Sequence, residues 1–309
     1  MVVQGPRHDG DVRTLGGQAA GSGSADTPAG TGHQDDTAPE SLRHAPEGSD
    51  SAFPTPSGSP YCPGMFNLTG RTALVTGAGQ NVGAGIARAL GAAGATVLVN
   101  DLRSERADEV VEALLADGVA AVSVPFDVTD RPAIDSAVAG AGPIDVLVNN
   151  AGNGGAEEMR PRRFTDTGPD DWLGPMEVNL HGVLHCCHAV LPGMVERGHG
   201  RITTISSAAG THGVGMGFVP YSVGKGGSLS LMRSLALEHG RDGITANSVA
   251  LGIMDSVRAE TAAALTKRIP VGRLGSPDDV GAACLWLASD EAGWITGQTI
   301  GLNGGAFTS

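Results

Sequence analysis

From Arg71 onward, short apolar runs alternate with amphipathic segments along the chain. The apolar runs predict strands at 73–75, 96–99, 119–125, 144–148, 201–205, 244–249 and 299–302. The spacing of hydrophobic residues between them predicts helices near 84–93, 104–116, 132–139, 178–196, 221–238 and 277–288. Strands that are apolar throughout and separated by helices indicate a parallel sheet covered on both faces. The predicted fold class is therefore α/β, a single domain with a doubly wound Rossmann-type sheet.

Residues 1–64 lack this alternation. They contain 8 of the 18 prolines and 11 of the 48 glycines, but no isoleucine, lysine or tryptophan. Such a segment buries too little apolar surface to offset the conformational entropy that ordering would cost. We therefore expect a disordered tail over 1–64 and a folded domain over 65–309. The tail is interpreted as a docking segment, as a solvated extension, or as the result of a mis-assigned start, because Met65 would itself make a natural beginning.

Composition and charge argue against several classes of function. The net charge of −13 disfavours a nucleic-acid-binding surface. No apolar run approaches the ~20 residues of a membrane span, and the first residues lack the basic start and apolar core of a signal peptide. The cysteines show no CxxC spacing, so we expect reduced thiols in a cytoplasmic protein; they are Cys62, Cys186, Cys187 and Cys284.

A glycine-rich turn, TGAGQNVG at 76–83, follows the first predicted strand and precedes the first helix. Glycines permit a tight turn with close backbone approach, and a helix N-terminus offers amide donors to a pyrophosphate. Asp101 lies 24 positions after Gly77, at the end of the second strand. A carboxylate there can accept hydrogen bonds from an adenosine ribose 2′-hydroxyl and would repel a 2′-phosphate. The alternative interpretation of Asp101 is a helix cap or turn residue.

Tyr221 and Lys225 are four residues apart in a predicted helix, which places both side chains on one face. Free tyrosine has a pKa of ~10. A neighbouring ammonium stabilises the phenolate and lowers the tyrosine pKa towards the range that suits general acid/base catalysis. The spacing also occurs on ordinary surface helices, so its meaning depends on the motifs around it.

Six motifs make the chain over 65–309 resemble a classical short-chain dehydrogenase/reductase. Besides the glycine-rich turn and YSVGK at 221–225, they are NNAG at 149–152, VNLHG at 178–182, ISS at 205–207 and ITGQTIGLNGG at 295–305. Their order and approximate spacing match the family pattern. The resemblance implies a catalytic tetrad of Asn179, Ser207, Tyr221 and Lys225.

The resemblance also implies a role for each member of the tetrad and a dinucleotide cofactor. Tyr221 would exchange a proton with the substrate oxygen, Lys225 would stabilise the phenolate and bond the nicotinamide ribose, and Ser207 would orient the substrate. Asn179 would hold a water that links Lys225 to solvent. The implied cofactor contacts are Gly77, Gly79, Asn81, Val82, Gly83, Asp101, Asp127, Val128, Asn150, Ala151, Gly152, Tyr221, Lys225, Gly252 and Ile253.

The activity implied is NAD(P)-dependent interconversion of a secondary alcohol and a ketone, with NAD preferred to NADP because of Asp101. The stretch 178–207 resembles reductases of 3-oxoacyl or hydroxyacyl thioesters, but polyol and cyclic-alcohol dehydrogenases share it. A catalytically silent dinucleotide-binding scaffold is the alternative from another class, since fold does not fix function. Such a scaffold would not need the whole tetrad. The resemblance further implies a homo-oligomer, a tetramer, with helices 178–196 and 221–238 at the interface.

Two departures from the family pattern concern the backbone. Asn81 replaces the usual middle glycine of the first motif, and because asparagine tolerates positive φ better than most residues, cofactor binding should survive. Leu251 stands where proline usually precedes Gly252, which is expected to loosen the turn after the sixth strand.

Two further departures concern the segments expected to bind substrate. The lid at 253–270 looks short, and the loop at 153–171 looks long. The three arginines of that loop are interpreted either as a grip for an anionic substrate such as an acyl-CoA or as part of a solvated loop; they are Arg160, Arg162 and Arg163. The three tryptophans are interpreted as core or interface residues rather than a stacking site; they are Trp172, Trp286 and Trp294.

His181, His185 and His188 recur at i, i+4 and i+7 beside Cys186 and Cys187, a spacing that can ligate zinc. The same helix must also pack on the sheet or on a partner subunit, and no matching acidic ligand is evident. We therefore expect no metal site here.

Overall fold

Strands and helices alternate in the order that the hydrophobic pattern predicts. The computed structural model describes residues 64–152, 160–256 and 259–308. Strands β1 to β7 span Thr72–Val75, Thr96–Val99, Ala121–Ser123, Val146–Asn149, Gly200–Ser207, Ile244–Leu251 and Thr299–Leu302. Helices α1 to α9 span Asn81–Ala92, Ser104–Ala116, Arg131–Ala141, Pro169–Met176, Gly182–Arg197, Ala208–Thr211, Val219–His239, Ala259–Thr266 and Pro277–Ala288.

The strands of the described residues form one sheet in the order β3-β2-β1-β4-β5-β6-β7, and every neighbouring pair is parallel. The strand order reverses direction between β1 and β4. At such a point the loops that follow the two strands diverge and leave a crevice at the carboxyl edge of the sheet. The predicted doubly wound Rossmann-type fold is confirmed, and the crevice is the place to look for a ligand.

Two apolar layers cover the sheet, because successive residues of a strand point to opposite faces. Val75 and Val148 pack on one face with α1, α2 and α9. Leu74 and Leu147 pack on the other face with α3, α5 and α7. Full burial of one such side chain contributes ~1.5–3 kcal/mol. The two layers therefore supply most of the stabilisation and hold the strand ends in register.

Two predicted boundaries are corrected by the structure, and the predicted lid is found to contain a helix. The strand predicted at 119–125 is limited to Ala121–Ser123, because Pro125 has no amide for the ladder and β3 pairs only with β2 at the sheet edge. The helix predicted to begin at 178 is the later part of a longer helical segment. That segment begins with α4 at Pro169, continues through a π-helical turn at Glu177–His181 and ends with α5 at Arg197. The segment 253–270, expected to be a short lid, contains α8.

The turn after β6 starts from a residue paired in the sheet, and the looser turn expected from Leu251 stays a prediction. Leu251 belongs to β6 and lies in register with Leu302 of β7. The Gly252 amide donates to the Leu302 carbonyl at 2.9 Å. A leucine has the backbone amide that proline lacks, so the strand continues where the family pattern would end it.

Several sequence expectations fall partly outside the described residues. The predicted tail 1–64 is described only at Gly64, and residues 153–159 and 257–258 are likewise outside. Among the tryptophans, Trp172 stacks on Phe164, Trp286 of α9 is partly buried against the apolar layer, and Trp294 is 98% exposed. No helix within the described ranges is both long enough and apolar enough to cross a bilayer.

Candidate active site

A cleft of about 860 Å³ opens at the carboxyl edge of the sheet and is lined by residues that follow β1 to β6. Most of the predicted site residues line it: Gly77, Asn81, Val82, Gly83, Asp101, Asp127, Val128, Asn150, Ala151, Gly152, Ser207, Tyr221, Lys225 and Gly252. Three predicted residues do not. Asn179 and Gly79 are buried and do not line the cleft, and Ile253 lines a separate cavity of about 210 Å³.

Ser207 and Tyr221 meet where β5 ends and α7 begins. Ser207 is the last residue of β5 and caps α6, its Oγ accepting from the Ala209 amide at 3.1 Å. Burial raises the pKa of Tyr221, and the neighbouring Ser207 hydroxyl opposes that shift only in part. The phenol is therefore protonated at neutral pH, the form that can donate a proton to a substrate oxygen.

The direction of the Tyr221 pKa is opposite to the one expected from Lys225. The Lys225 Nζ lies 5.9 Å from the centroid of the Tyr221 ring and donates to the Ile205 carbonyl at 2.7 Å. Lys225 is 4% exposed, and this burial lowers its pKa to about 8. Desolvation therefore decides the titration of both side chains, whereas the sequence pattern predicts only their proximity.

Gly152 leaves the space in which Lys225 and Asn179 approach each other. A Cβ atom at position 152 would lie 2.6 Å from the Lys225 Nζ and 2.8 Å from the Asn179 Oδ1. Both contacts are closer than real Cβ atoms tolerate. The NNAG motif thus ends in glycine because the tetrad lysine and asparagine occupy the volume of a side chain.

A π-helical turn positions Asn179. The Gly182 amide donates to the Glu177 carbonyl five residues earlier instead of four, which marks the wider turn. Asn179 is fully buried, and its Nδ2 donates to the Pro175 carbonyl at 2.8 Å. Single π turns within helices are frequent at functional sites. The sequence predicted Asn179 but gave no sign of this turn.

The segment 149–152 ties the end of β4 to the loop after β1. The Asn150 Nδ2 donates to the carbonyls of Thr76 and Gly77, each at 2.9 Å. The amides of Asn150 and Ala151 donate to the Thr76 Oγ1 at 3.0 and 3.1 Å. Thr76 was not predicted as a site residue, although it opens the glycine-rich motif. These bonds fix the width of the cleft between the two strands.

The first amides of the glycine-rich turn bind the protein itself. The amides of Gly77, Ala78 and Gly79 donate to the Asn100 Oδ1, the Asn100 carbonyl and the Asp101 Oδ2 at 3.3, 2.6 and 3.1 Å. They are therefore not the donors that a pyrophosphate would use. The donors left are the first-turn amides of α1, which have no partner within a helix, and Gln80 provides no side-chain cap there.

Asn81 has a φ of +46°, in the left-handed region. Within the described residues, the only other non-glycine residue with positive φ is Phe66. Asparagine adopts this region more readily than most residues. Asn81 thus adopts the positive φ that the sequence analysis expected asparagine to tolerate. Cofactor binding at this position remains a prediction.

Asp101 satisfies both sequence interpretations. It lines the cleft, and its Oδ1 accepts from the Arg103 amide at 3.1 Å as a turn residue would. Arg103 and Arg106 line the cleft beside it, and within the described residues neither guanidinium has a hydrogen-bond or ion-pair partner. Arg106 was not predicted, although it lies one helical turn after Arg103. On the opposite side, the Asp127 Oδ1 accepts from both the amide and the hydroxyl of Thr129 at 2.8 Å.

The arginines of the 153–171 loop do not reach the cleft described here. Arg162 forms an ion pair with Asp171 at 2.6 Å, and its amide donates to the Gly217 carbonyl. Arg160 and Arg163 are exposed. For these three arginines the structure therefore supports the solvated interpretation over a grip on a substrate in this cleft.

The three histidines beside the cysteine pair bind different partners. The Nδ1 atoms of His181, His185 and His188 lie 2.9 Å from the Glu177 Oε1, 3.4 Å from the Val128 carbonyl and 2.9 Å from an Arg131 guanidinium nitrogen, respectively. Within the described ranges no three His, Cys, Asp or Glu side chains are grouped to hold a metal.

The fold and the cleft define a Rossmann-type oxidoreductase. A family profile described as enoyl-(acyl carrier protein) reductase matches residues 77–307. An acetoacetyl-CoA reductase of Shinella zoogloeoides is 40% identical over 247 residues, 77% of this chain and 98% of that protein. The chain belongs to the classical short-chain dehydrogenase/reductase family, whose members act on hydroxyl and keto groups.

Solved structures of relatives share the fold. A gluconate 5-dehydrogenase from Burkholderia cenocepacia J2315, in complex with NADP and tartrate, is 35% identical with a TM-score of 0.72 over 78% of this chain and 96% of its own. A 7α-hydroxysteroid dehydrogenase complexed with NADH and 7-oxo glycochenodeoxycholic acid is 30% identical with a TM-score of 0.73 over the same shares. Proteins of this fold therefore bind either dinucleotide.

Proposed function

We propose that this protein interconverts a secondary alcohol and a ketone with NAD(P), and that Tyr221 is the general acid/base. The observation that carries the proposal is the convergence of three side chains in one cleft. Ser207, Tyr221 and Lys225 line the same cleft, and the buried Lys225 lies one helical turn after Tyr221. A screen of secondary alcohols and ketones with NAD(H) and NADP(H), followed by absorbance, tests it.

The residues present fit a nicotinamide dinucleotide. The cleft runs past the uncapped N-terminus of α1, which suits a pyrophosphate, and past Asp101, which suits an adenosine ribose. Asn150, Gly152, Tyr221 and Lys225 line the same cleft. These groups would hold the dinucleotide, which when bound supplies or accepts the hydride.

The chain's own residues account for the proton. Ser207 would hold the substrate oxygen by a hydrogen bond while Tyr221 donates its proton to that oxygen in the direction of ketone reduction. The Lys225 ammonium would then stabilise the tyrosinate that remains. Because burial lowers the Lys225 pKa to about 8, Lys225 can itself pass a proton at physiological pH. Asn179 and Lys225 lie close together in the space that Gly152 leaves free. Asn179 would hold the water that returns the proton from solvent.

The substrate proposed is a 3-oxoacyl or hydroxyacyl thioester. The support is the acetoacetyl-CoA reductase relative, which aligns with nearly its whole length. Polyol or cyclic-alcohol dehydrogenation is the second candidate, favoured by the gluconate and hydroxysteroid dehydrogenase structures. A thioester arm and a polyol and steroid arm in the substrate screen separate the two. A protein that binds NADH but turns over no member of either arm would support the silent scaffold.

We further propose that residues 65–309 form the catalytic domain. The described cysteines, Cys186, Cys187 and Cys284, are buried free thiols. Burial raises the pKa of Cys187 and of Cys284 to about 12, so both are unreactive. Free thiols support the expectation of a reducing, cytoplasmic compartment.

We expect a homotetramer in solution. Helices α5 and α7, the proposed interface, carry apolar side chains at the surface: Leu184, Val195, Val223 and Leu237, the last of them 89% exposed. Exposed apolar side chains on long helices are costly in a monomer and favourable in a symmetric interface. Light scattering at micromolar concentration should give about four times the chain mass. A monomer mass would contradict the proposal.

Lys225→Met is expected to stabilise the protein while abolishing turnover. Lowering the Lys225 pKa from 10.5 to about 8 corresponds to roughly 3 kcal/mol of unfavourable charge burial. Losing the bond to the Ile205 carbonyl returns about 1 kcal/mol, so the expected net gain in the free energy of unfolding is about 2 kcal/mol at pH 7.

The pH dependence of that gain has a defined sign. Below pH 8 the lysine is charged in both the folded and the unfolded chain, so methionine gains most there. Between about pH 8 and 10.5 the folded lysine loses its proton first, and the gain declines. Denaturant unfolding at pH 7 and pH 10 measures the gain in the free energy of unfolding. Lys267→Met, at an exposed position, serves as the control. A gain that grows with pH would contradict the expectation.

A further inference from the structure

Asn100 joins three segments of the dinucleotide side of the cleft. It follows β2 directly and is 1% exposed. Its Oδ1 and its carbonyl accept from the amides of Gly77 and Ala78 in the glycine-rich turn. Its Nδ2 donates to the carbonyls of Val124 and Phe126, at 3.1 and 3.0 Å, in the chain that leaves β3. The loops after β1, β2 and β3 therefore share one side chain.

The bonding of Asn100 shows that it acts through the turn. Both of its side-chain amide hydrogens are donated to backbone carbonyls, and its Oδ1 already accepts from Gly77. Gly77 itself has a φ of +60°. Glycine can adopt many other backbone conformations of similar energy. A turn of this kind needs external bonds to stay in one shape, and those bonds come from Asn100 and Asp101.

We infer that Asn100 is a positioning residue for dinucleotide binding, which rests on the proposed function. By fixing Gly77 and Ala78, Asn100 holds the turn so that the first amides of α1 face the pyrophosphate. Asn100 carries no charge and does not distinguish a 2′-hydroxyl from a 2′-phosphate. Its loss should therefore weaken NAD and NADP equally and leave proton transfer at Tyr221 unchanged.

The test compares Asn100→Ala with a matched control at the far end of the sheet. Asn247 is also 1% exposed, its Oδ1 accepts from the Gln298 amide at 3.0 Å, and its Nδ2 donates to the Ile295 carbonyl at 2.8 Å. It is absent from the residues that line the cleft. Asn247→Ala thus removes the same kinds of bond between a strand and a loop without touching the proposed site.

Three quantities are measured for each variant: the Kd for NADH and NADPH by fluorescence titration, the Tm, and kcat at saturating dinucleotide. We expect Asn100→Ala to raise both Kd values by about 10-fold or more, with their ratio unchanged and kcat within about two-fold. Asn247→Ala should lower the Tm with both Kd values unchanged. Asn100→Ser serves the same test if the alanine variant does not fold.

Three outcomes would overturn the inference. The first is an Asn100 variant that binds both dinucleotides as the wild type does. The second is a rise in Kd for Asn247→Ala as large as that for Asn100→Ala, since the effect would then be general destabilisation. The third is a wild-type protein that binds neither dinucleotide, which would remove the proposed function as well. In the first two outcomes the wild type still binds and turns over, so the proposed function stands.

Discussion

Replacing Tyr221 with phenylalanine is expected to lower kcat by about 10²- to 10⁴-fold while dinucleotide affinity stays nearly the same. Phenylalanine keeps the ring at the start of α7 but lacks the hydroxyl that faces the cleft with Ser207. Burial keeps the tyrosine protonated, so under the proposed function this hydroxyl would donate the proton to a ketone held by Ser207. The variant should therefore bind both the dinucleotide and the ketone but fail at the proton-transfer step.

Single-turnover kinetics with an identified ketone and NADH or NADPH provide the measurement, together with a fluorescence titration of the dinucleotide. The sequence contains one other tyrosine, Tyr61, in the predicted tail. Tyr61→Phe makes the same chemical change and should leave kcat unaltered. A Tyr221→Phe variant that keeps most of its kcat would show that another group transfers the proton. A loss of dinucleotide binding together with kcat would show that the phenol supports the cleft rather than the reaction.

The sequence predicted the sheet and the position of the tetrad because both depend on local patterns. Short apolar runs predicted 96–99 and 299–302 with their observed bounds, although only the first of these strands is mostly buried. The carboxyl ends of parallel strands meet at one edge, which brings Asp101, just after β2, and Ser207, the last residue of β5, to one cleft. Motif order then identified the residues, although their catalytic roles stay predictions.

Features that depend on burial or on distant partners could not be predicted in the same way. The π turn at Asn179 is a backbone feature without a sequence signature of its own. The raised pKa of Tyr221 follows from desolvation, which the spacing to Lys225 does not reveal. The role of Asn100 cannot be predicted from local sequence, because its hydrogen-bond partners lie in two other loops. A polar residue at the end of a buried strand was the one available signal.

A clear preference for NAD over NADP is the second large effect expected. The Asp101 carboxylate would accept ribose hydroxyls and meet a 2′-phosphate with like-charge repulsion. The lost hydrogen bonds and the poorly compensated charge should cost about 2–4 kcal/mol, or ~30- to 1000-fold in preference. Opposing this, Arg103 and Arg106 line the cleft beside Asp101 without partners among the described residues. Their attraction for a phosphate should bring the preference towards the lower end of that range.

Substitutions at Asp101 should relax the preference in two distinguishable ways. Asp101→Ala or Asp101→Ser removes the repulsion but also leaves the buried Gly79 amide without its acceptor, so binding of both cofactors should weaken. Asp101→Asn removes the charge and keeps one side-chain acceptor for that amide, so the preference should fall with less loss for NAD. The values of kcat/KM for NAD and NADP, compared across these variants, show whether Asp101 sets the preference. Arg103→Ala and Arg106→Ala are expected to move the preference further towards NAD. Equal values in the wild type, or a preference for NADP, would show instead that the two arginines govern this part of the cleft and that Asp101 chiefly holds the turn.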